Sequence, residues 1–348
     1  MTGKERLQLY LQGGQVDRIP VFPNIHFGTA KFCGYSIRDF ATNAEINSNC
    51  LVQAFRAGGY DGIQVGSDVT IEGEAVGSQV HFSDDNPPSV KIPFLKTPDL
   101  SRLIMPDPLR DGRMPMLIES TRSCHQEVGD KAYIIATLMG PFSAASQIRG
   151  VQDLLMETVT DPGFVDDLMQ FSVELGIAYG RELLKAGARG LLLGEALCSP
   201  QMISPKFYKD NIVKHQKKLF AGLYQAGAEV IFLHICGNIK PILPICLNLE
   251  PAVGLDLDQK TDPREVFALS ASCSRSVFFR GNLEPATTLN SNDRDQIINA
   301  CREIIDLNRE QNRLILSSGC NMNHWGFPEN AQAMVFAAEE FGQMQPRN

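Results

Sequence analysis

The sequence predicts an α/β fold, a single-domain (β/α)8 TIM barrel over residues 1–348. Three observations predict it. From about residue 130 onward, short β-rich runs alternate with amphipathic helical stretches at a regular beat. The runs are predominantly apolar, the pattern of strands buried on both faces. Two earlier runs bring the strand count to eight, which favours a closed barrel over an open sheet. The Gly-rich phosphate-binding fingerprint of an open dinucleotide-binding sheet is absent.

Taken in order, Ile19–Pro23 is the first predicted strand and Gly62–Gly66 the second. Residues 71–96, with Gln79-Val80-His81-Phe82 among them, read as a β-hairpin excursion after the second strand. The other six strands are Tyr133–Leu138, Gly190–Leu193, Val230–His234, Val253–Leu257, Val277–Arg280 and Leu314–Ser317. Helices are expected over Pro162–Lys185, Pro205–Ala226, Arg294–Arg309 and Glu329–Phe341. Asp161-Pro162, Ser204-Pro205 and Asp262-Pro263 each set a capping residue before a proline in the first helical turn. Gly187, Gly227 and Gly319 stand where turns belong. No linker and no low-complexity tract interrupts the β-α beat, so one domain is expected.

Composition narrows the class. With 43% hydrophobic and 21% charged residues the chain can bury a sizeable core. A formal charge of −8 and the lack of any basic stripe argue against nucleic acid as a partner. The longest basic cluster, Lys214 to Lys218, reads as a solvated helix face, and His215 within it as a surface residue. No apolar run approaches a membrane span, and the first residues lack the apolar core of a secretory signal. A cytoplasmic protein is expected. Its nine cysteines, odd in number and scattered, are then free thiols, ligands or catalytic groups rather than a disulfide framework.

In a barrel the chemistry sits at the C-terminal ends of the strands. Those exits carry His26, Asp68, Met139-Gly140-Pro141, Gly194-Glu195, His234-Ile235-Cys236-Gly237, Asp256-Leu257-Asp258, Gly281-Asn282 and Ser317-Ser318-Gly319-Cys320. His234 and Cys236, two apart on an extended strand, point to the same face. Cys320 leaves the eighth strand, which faces the fifth across the mouth of a closed barrel. A metal bridging the two would have one imidazole and two thiolates, a set that suits zinc and leaves one tetrahedral position open. Chance alone gives a His-x-Cys about 0.16 times in a chain with six His and nine Cys, so the meeting of three donors at two exits carries the reading. Cys50, Cys246, Cys273 and Cys301, off the strand exits, read as packing residues.

These residues resemble a known family. Lys4-Glu5-Arg6-Leu7, Asp17-Arg18-Ile19-Pro20-Val21 and Gly281-Asn282-Leu283-Glu284-Pro285 are similar to the uroporphyrinogen decarboxylase superfamily. Leu233-His234-Ile235-Cys236-Gly237-Asn238, with Ser318-Gly319-Cys320, resembles its zinc branch, the methylcobamide:coenzyme M methyltransferases. The resemblance covers essentially the whole chain. The decarboxylase itself is the alternative: a lyase that needs no metal and holds its substrate carboxylates with arginines just after the first strand. Here residues 22–29 read Phe-Pro-Asn-Ile-His-Phe-Gly-Thr, with no arginine before Arg38.

The resemblance implies a methyl transfer between a methylated corrinoid (methylcobalamin) and a thiol such as coenzyme M, through a zinc-bound thiolate. It implies that Asp258 joins His234, Cys236 and Cys320 on zinc when substrate is absent. Glu195 is the candidate to accept a hydrogen bond or the thiol proton, and His26, Asp68, Asn282 and Trp325 are candidates to contact substrate. The chain lacks the Asp-x-His-x-x-Gly signature of corrinoid-binding domains, so the corrinoid is expected on a separate, transiently docked protein.

Overall fold

The computed structural model describes the chain apart from residues 252, 273–276, 292, 310, 322–327 and 345–348. Among the described residues the strands are β1 (Gly62–Val65), β2 (Gln79–His81), β3 (Ser89–Ile92), β4 (Tyr133–Met139), β5 (Gly190–Gly194), β6 (Val230–Ile235), β7 (Gly254–Leu257), β8 (Phe279–Leu283) and β9 (Leu314–Ser318). Seven of them form one parallel sheet in the order β1-β4-β5-β6-β7-β8-β9. Each crosses to its neighbour through helix, as parallel pairing requires.

The eight-stranded expectation changes at its first member. Ile19–Pro23 makes only an isolated parallel bridge, Val21 to Leu316 of β9. Phe22 N donates to Leu316 O at 2.8 Å, Leu316 N to Pro20 O at 2.9 Å, and Asp61 N, just before β1, to Val21 O at 2.8 Å. The segment thus bonds to both edges of the sheet, which is curled. Pro20 and Pro23 have no N–H to give, so the ladder cannot extend along this segment. The predicted hairpin span differs too: it opens with a helix, Ile71–Val76, before β2 and β3 pair antiparallel.

The predicted helix entries are capped by side chains: Asp161 accepts from Phe164 N, Ser204 from Phe207 N and Asp262 from Arg264 N. The predicted helix Pro205–Ala226 is interrupted by a π-helical turn at Tyr208–Ile212. His215, expected at the surface, is buried, with Nε2 2.8 Å from Asp166 Oδ1. The lysines around it occupy the exposed face.

Alternation along the strands decides what lies inside the curl. At the N-terminal end Phe22, Tyr133, Ile135, Leu192, Val230, Phe232 and Ile315 pack together, closed from below by Leu7 and Tyr10 of the helix Gly3–Leu11. The N-terminal motif secures this closure. Arg6 grips Asp17 at 2.6 and 2.7 Å and also reaches Asp61; Arg18 binds Asp61 at 2.7 Å, and Asp61 accepts from Val21 N. Two residues on, the inward positions turn polar: His234, Asp256 and Arg280 pair in register on β6, β7 and β8. This step from apolar to polar is where the site begins.

Candidate functional site

A cavity of about 330 Å³ opens at the C-terminal ends of the strands. Its floor holds His234, Cys236 and Cys320, so the residues predicted from two distant strand exits come together. Cys236 Sγ lies 3.4 Å from His234 Nε2, and Cys320 is hydrogen-bonded to both. Hydrogen bonding from Cys236, aided by His234 and opposed by burial, draws the Cys320 thiol well below its ordinary range. Cys236 moves the other way, raised by Cys320 and by burial.

His234 is held from behind. Asp256 Oδ2 lies 3.1 Å from His234 Nδ1, leaving Nε2 to face the thiols. Burial opposes a charge on this ring, but Asp256 and the two cysteines hold its pKa well above the ordinary histidine range. Arg280, fully buried, stands 3.5 Å from Asp256 Oδ1 and over the Phe22 ring, with Nε donating to Phe22 O and Nη2 to Gln64 Oε1. An imidazole and two thiols facing one another, with the second imidazole nitrogen fixed by a carboxylate, is the donor chemistry of a zinc site. The three stand as a hydrogen-bonded cluster. Among the described residues no group of three or more His, Cys, Asp or Glu is spaced around a common metal position.

The other predicted residues divide. His26 and Asp68 line the cavity, but their polar atoms are engaged. His26 Nε2 accepts from Gln64 Nε2 at 2.8 Å and the ring bonds the Ser67 backbone; burial, with Arg280 nearby, lowers its pKa to about 4. Asp68 is paired with Arg113 at 2.7 Å and accepts from Ser67 Oγ and Thr70 N. Asn282 lies outside the cavity lining and donates to the carbonyls of Asp258 and Thr261. It thereby shapes the loop that Asp258 begins. Asp258 is also outside the lining, with Oδ1 accepting from Lys260 N at 2.8 Å. Trp325 falls outside the described residues.

Glu195 is fully buried rather than a loop carboxylate at the mouth. Its oxygens accept from Phe142 N, Ser143 N and Gln216 Nε2, so it occupies the N-terminus of the helix Pro141–Arg149. Gly140 permits this approach, since a Cβ there would meet the carboxyl group at 2.3 Å. Burial raises the Glu195 pKa, and the bonds from Ser143 and Gln216 oppose that rise.

Sequence reasoning placed Asp256 at a strand exit without a role, and missed Arg280, Gln64 and Glu72. The first three were signalled by strand alternation: each is a polar residue on an inward position of a run otherwise apolar. Glu72 had no such signal, because it sits on a helix within the span read as a hairpin. It is buried, accepts from Met139 N at 2.7 Å, and burial raises its pKa to about 7, with Asp68 adding to the rise. Its folded pKa exceeds its unfolded value, so the unfolded state binds fewer protons between about pH 4.5 and 7 and stability falls as pH rises through that window. Glu72→Gln removes this slope. The variant is expected to gain about 3 kcal/mol on the parent between pH 4.5 and 7. Urea denaturation at both pH values checks it; parallel profiles would refute it.

Comparison with known proteins agrees with this architecture. The family model described as Uroporphyrinogen decarboxylase (URO-D) matches residues 2–341. The methylcobamide:CoM methyltransferase MtaA of Methanosarcina barkeri is 25% identical over 346 residues, covering 98% of each chain. The methylcobamide:CoM methyltransferase MtbA of Methanosarcina acetivorans is 24% identical over 345 residues, again with 98% of each covered. A solved methyltransferase from Methanosarcina mazei superposes with a TM-score of 0.89 at 23% identity, covering 98% of this chain and 99% of that one. A family match that leaves out one residue at the start and seven at the end settles the affiliation: this chain belongs to the uroporphyrinogen decarboxylase family.

Proposed function

We propose that the protein is a zinc-dependent methyltransferase that moves a methyl group between a methylated corrinoid, carried by a separate protein, and a thiol. The observation that carries this reading is the cluster of His234, Cys236 and Cys320 on the cavity floor, backed by Asp256. The naming of whole-length relatives as methylcobamide:CoM methyltransferases supports it. We also read the curled sheet as a one-domain (β/α)8 barrel in which residues 19–23 take the eighth place.

In this proposal His234, Cys236 and Cys320 would hold zinc, and Asp258, whose Oδ1 now accepts from Lys260 N, would be the candidate fourth ligand. When bound, zinc stabilises a substrate thiol as the thiolate, the form that attacks. The chain does the rest. Asp256 fixes the His234 tautomer, and Arg280 fixes Asp256. Glu195 holds the helix Pro141–Arg149 whose Ser143 and Ser146 line the cavity. The transfer balances simply: the sulfur–carbon bond forms, the cobalt–carbon bond breaks with its electron pair left on cobalt, and the thiol proton leaves to water. A docked corrinoid would reach the cavity from the C-terminal ends of the strands. No helix among the described residues is long and apolar enough to cross a membrane.

Mixing the protein with free methylcobalamin and a thiol is expected to give slow, zinc-dependent loss of the cobalt–methyl absorbance. Incubation with uroporphyrinogen is expected to give no decarboxylation, because no arginine precedes Arg38 after the first predicted strand. Decarboxylation without methyl transfer would reverse the reading in favour of the lyase.

A further inference from the structure

The walls above the thiol–imidazole floor say which thiol fits. They are mainly apolar, with Val69, Pro87, Met139, Val151, Leu192 and Leu197 among them. No Lys or Arg lines the cavity among the described residues, and residues 322–327, which follow the lining residue Asn321, contain neither. The one charged side chain on the wall besides the floor cluster is an anion, Asp68.

Among the described residues, the arginines around the cavity are already engaged. Arg113 binds Asp68 and Glu74 and donates to Ala41 O and Thr70 Oγ1. Arg280 lies beneath the floor, fully buried, facing Asp256, Gln64 and the Phe22 carbonyl. Arg149, on the helix that carries Ser146 and Gln147, is paired with Asp153 and Glu157. His26 offers no charge: both ring nitrogens are engaged, and burial keeps the ring neutral.

A helix N-terminus is the usual substitute for a cation. Here the helix Pro141–Arg149 begins at the cavity wall, but its first N–H groups already bind the Glu195 carboxylate. The protein has placed its own buried carboxyl group where a substrate anion would go. A sulfonate or carboxylate entering this cavity would lose its hydration and meet only neutral groups such as Ser143 and Gln147 on the described walls, with no Lys or Arg to balance its charge.

We infer that the thiol used by this protein is small, uncharged and mainly apolar beyond its sulfur, and not one bearing a sulfonate or carboxylate. The inference rests on the methyltransferase reading for its chemistry. Its basis in the cavity walls is separate from that reading.

The test is calorimetric binding to the zinc-loaded protein, with 1-propanethiol, 2-mercaptoethanesulfonate and 3-mercaptopropionate as probes. The neutral thiol is expected to bind at least tenfold more tightly than either anion. Gln147→Arg adds a cation to the wall at a half-buried position and is expected to raise sulfonate affinity above that of the parent. Equal or tighter binding of the sulfonate by the parent overturns the inference, as does failure of the neutral thiol to bind. Methyl transfer from methylcobalamin, followed with the same thiols, keeps the two proposals apart. Transfer with no thiol, alongside the neutral preference in binding, sinks the methyltransferase reading and leaves the selectivity of the cavity intact.

Discussion

Cys236→Ser and Cys320→Ser are each expected to weaken zinc binding by more than about 100-fold, beyond the range seen when only an outer partner of a ligand is lost. Thiol-dependent demethylation of methylcobalamin should fall with the metal. The cause is the donor: a serine hydroxyl stays protonated at neutral pH, whereas Cys320 is already drawn towards thiolate by Cys236 and His234. Metal content after dialysis against a mild chelator reads the first effect, and single-turnover decay of the cobalt–methyl band the second. Folding should survive, since neither side chain is part of the two apolar clusters. Full zinc retention in both variants would remove the site assignment.

Asp256→Asn is the second large effect, and it acts in two places. The carboxylate holds His234 Nδ1 at 3.1 Å and faces the fully buried Arg280 at 3.5 Å. Removing the charge leaves a buried guanidinium without its counter-ion, which costs about 3–5 kcal/mol. It also loosens the imidazole, for which a drop of about 10–100-fold in zinc affinity is expected. Denaturant midpoints measured on the metal-free protein isolate the first effect, and chelator competition on the loaded protein the second. If Asp256→Asn matches the parent in both, Asp256 is a bystander. Arg280→Met in the Asp256→Asn background should recover part of the lost stability, because the unpaired cation is then gone.

Glu195 and Asp258 show what a strand exit alone leaves open. Both are acidic residues at the end of a strand, and nothing local separates them from Asp256. The chain beyond them decides. Glu195 meets the N–H groups of a helix that starts 54 residues earlier, and Asp258 turns back onto Lys260 N. Asp256 alone has His234 beside it in register. The same holds for Ile19–Pro23, where apolar residues and position suggest a strand but two prolines limit it to bridging the sheet's edges.

The sequence by itself determined the β-α order, the helix caps at Asp161, Ser204 and Asp262, and the placing of His234, Cys236 and Cys320 at strand exits. Those are local properties: hydrophobic period, capping chemistry and residue type at a strand exit. Only the tertiary structure decided which carboxylate stands behind His234, that Arg280 lies buried beneath the floor, and that Glu195 fills a helix N-terminus beside a cavity whose described lining holds no Lys or Arg. Those depend on register between strands and on contacts across long stretches of chain. A charge inside a curled sheet takes its meaning from the neighbours that the fold brings to it, not from those beside it in sequence.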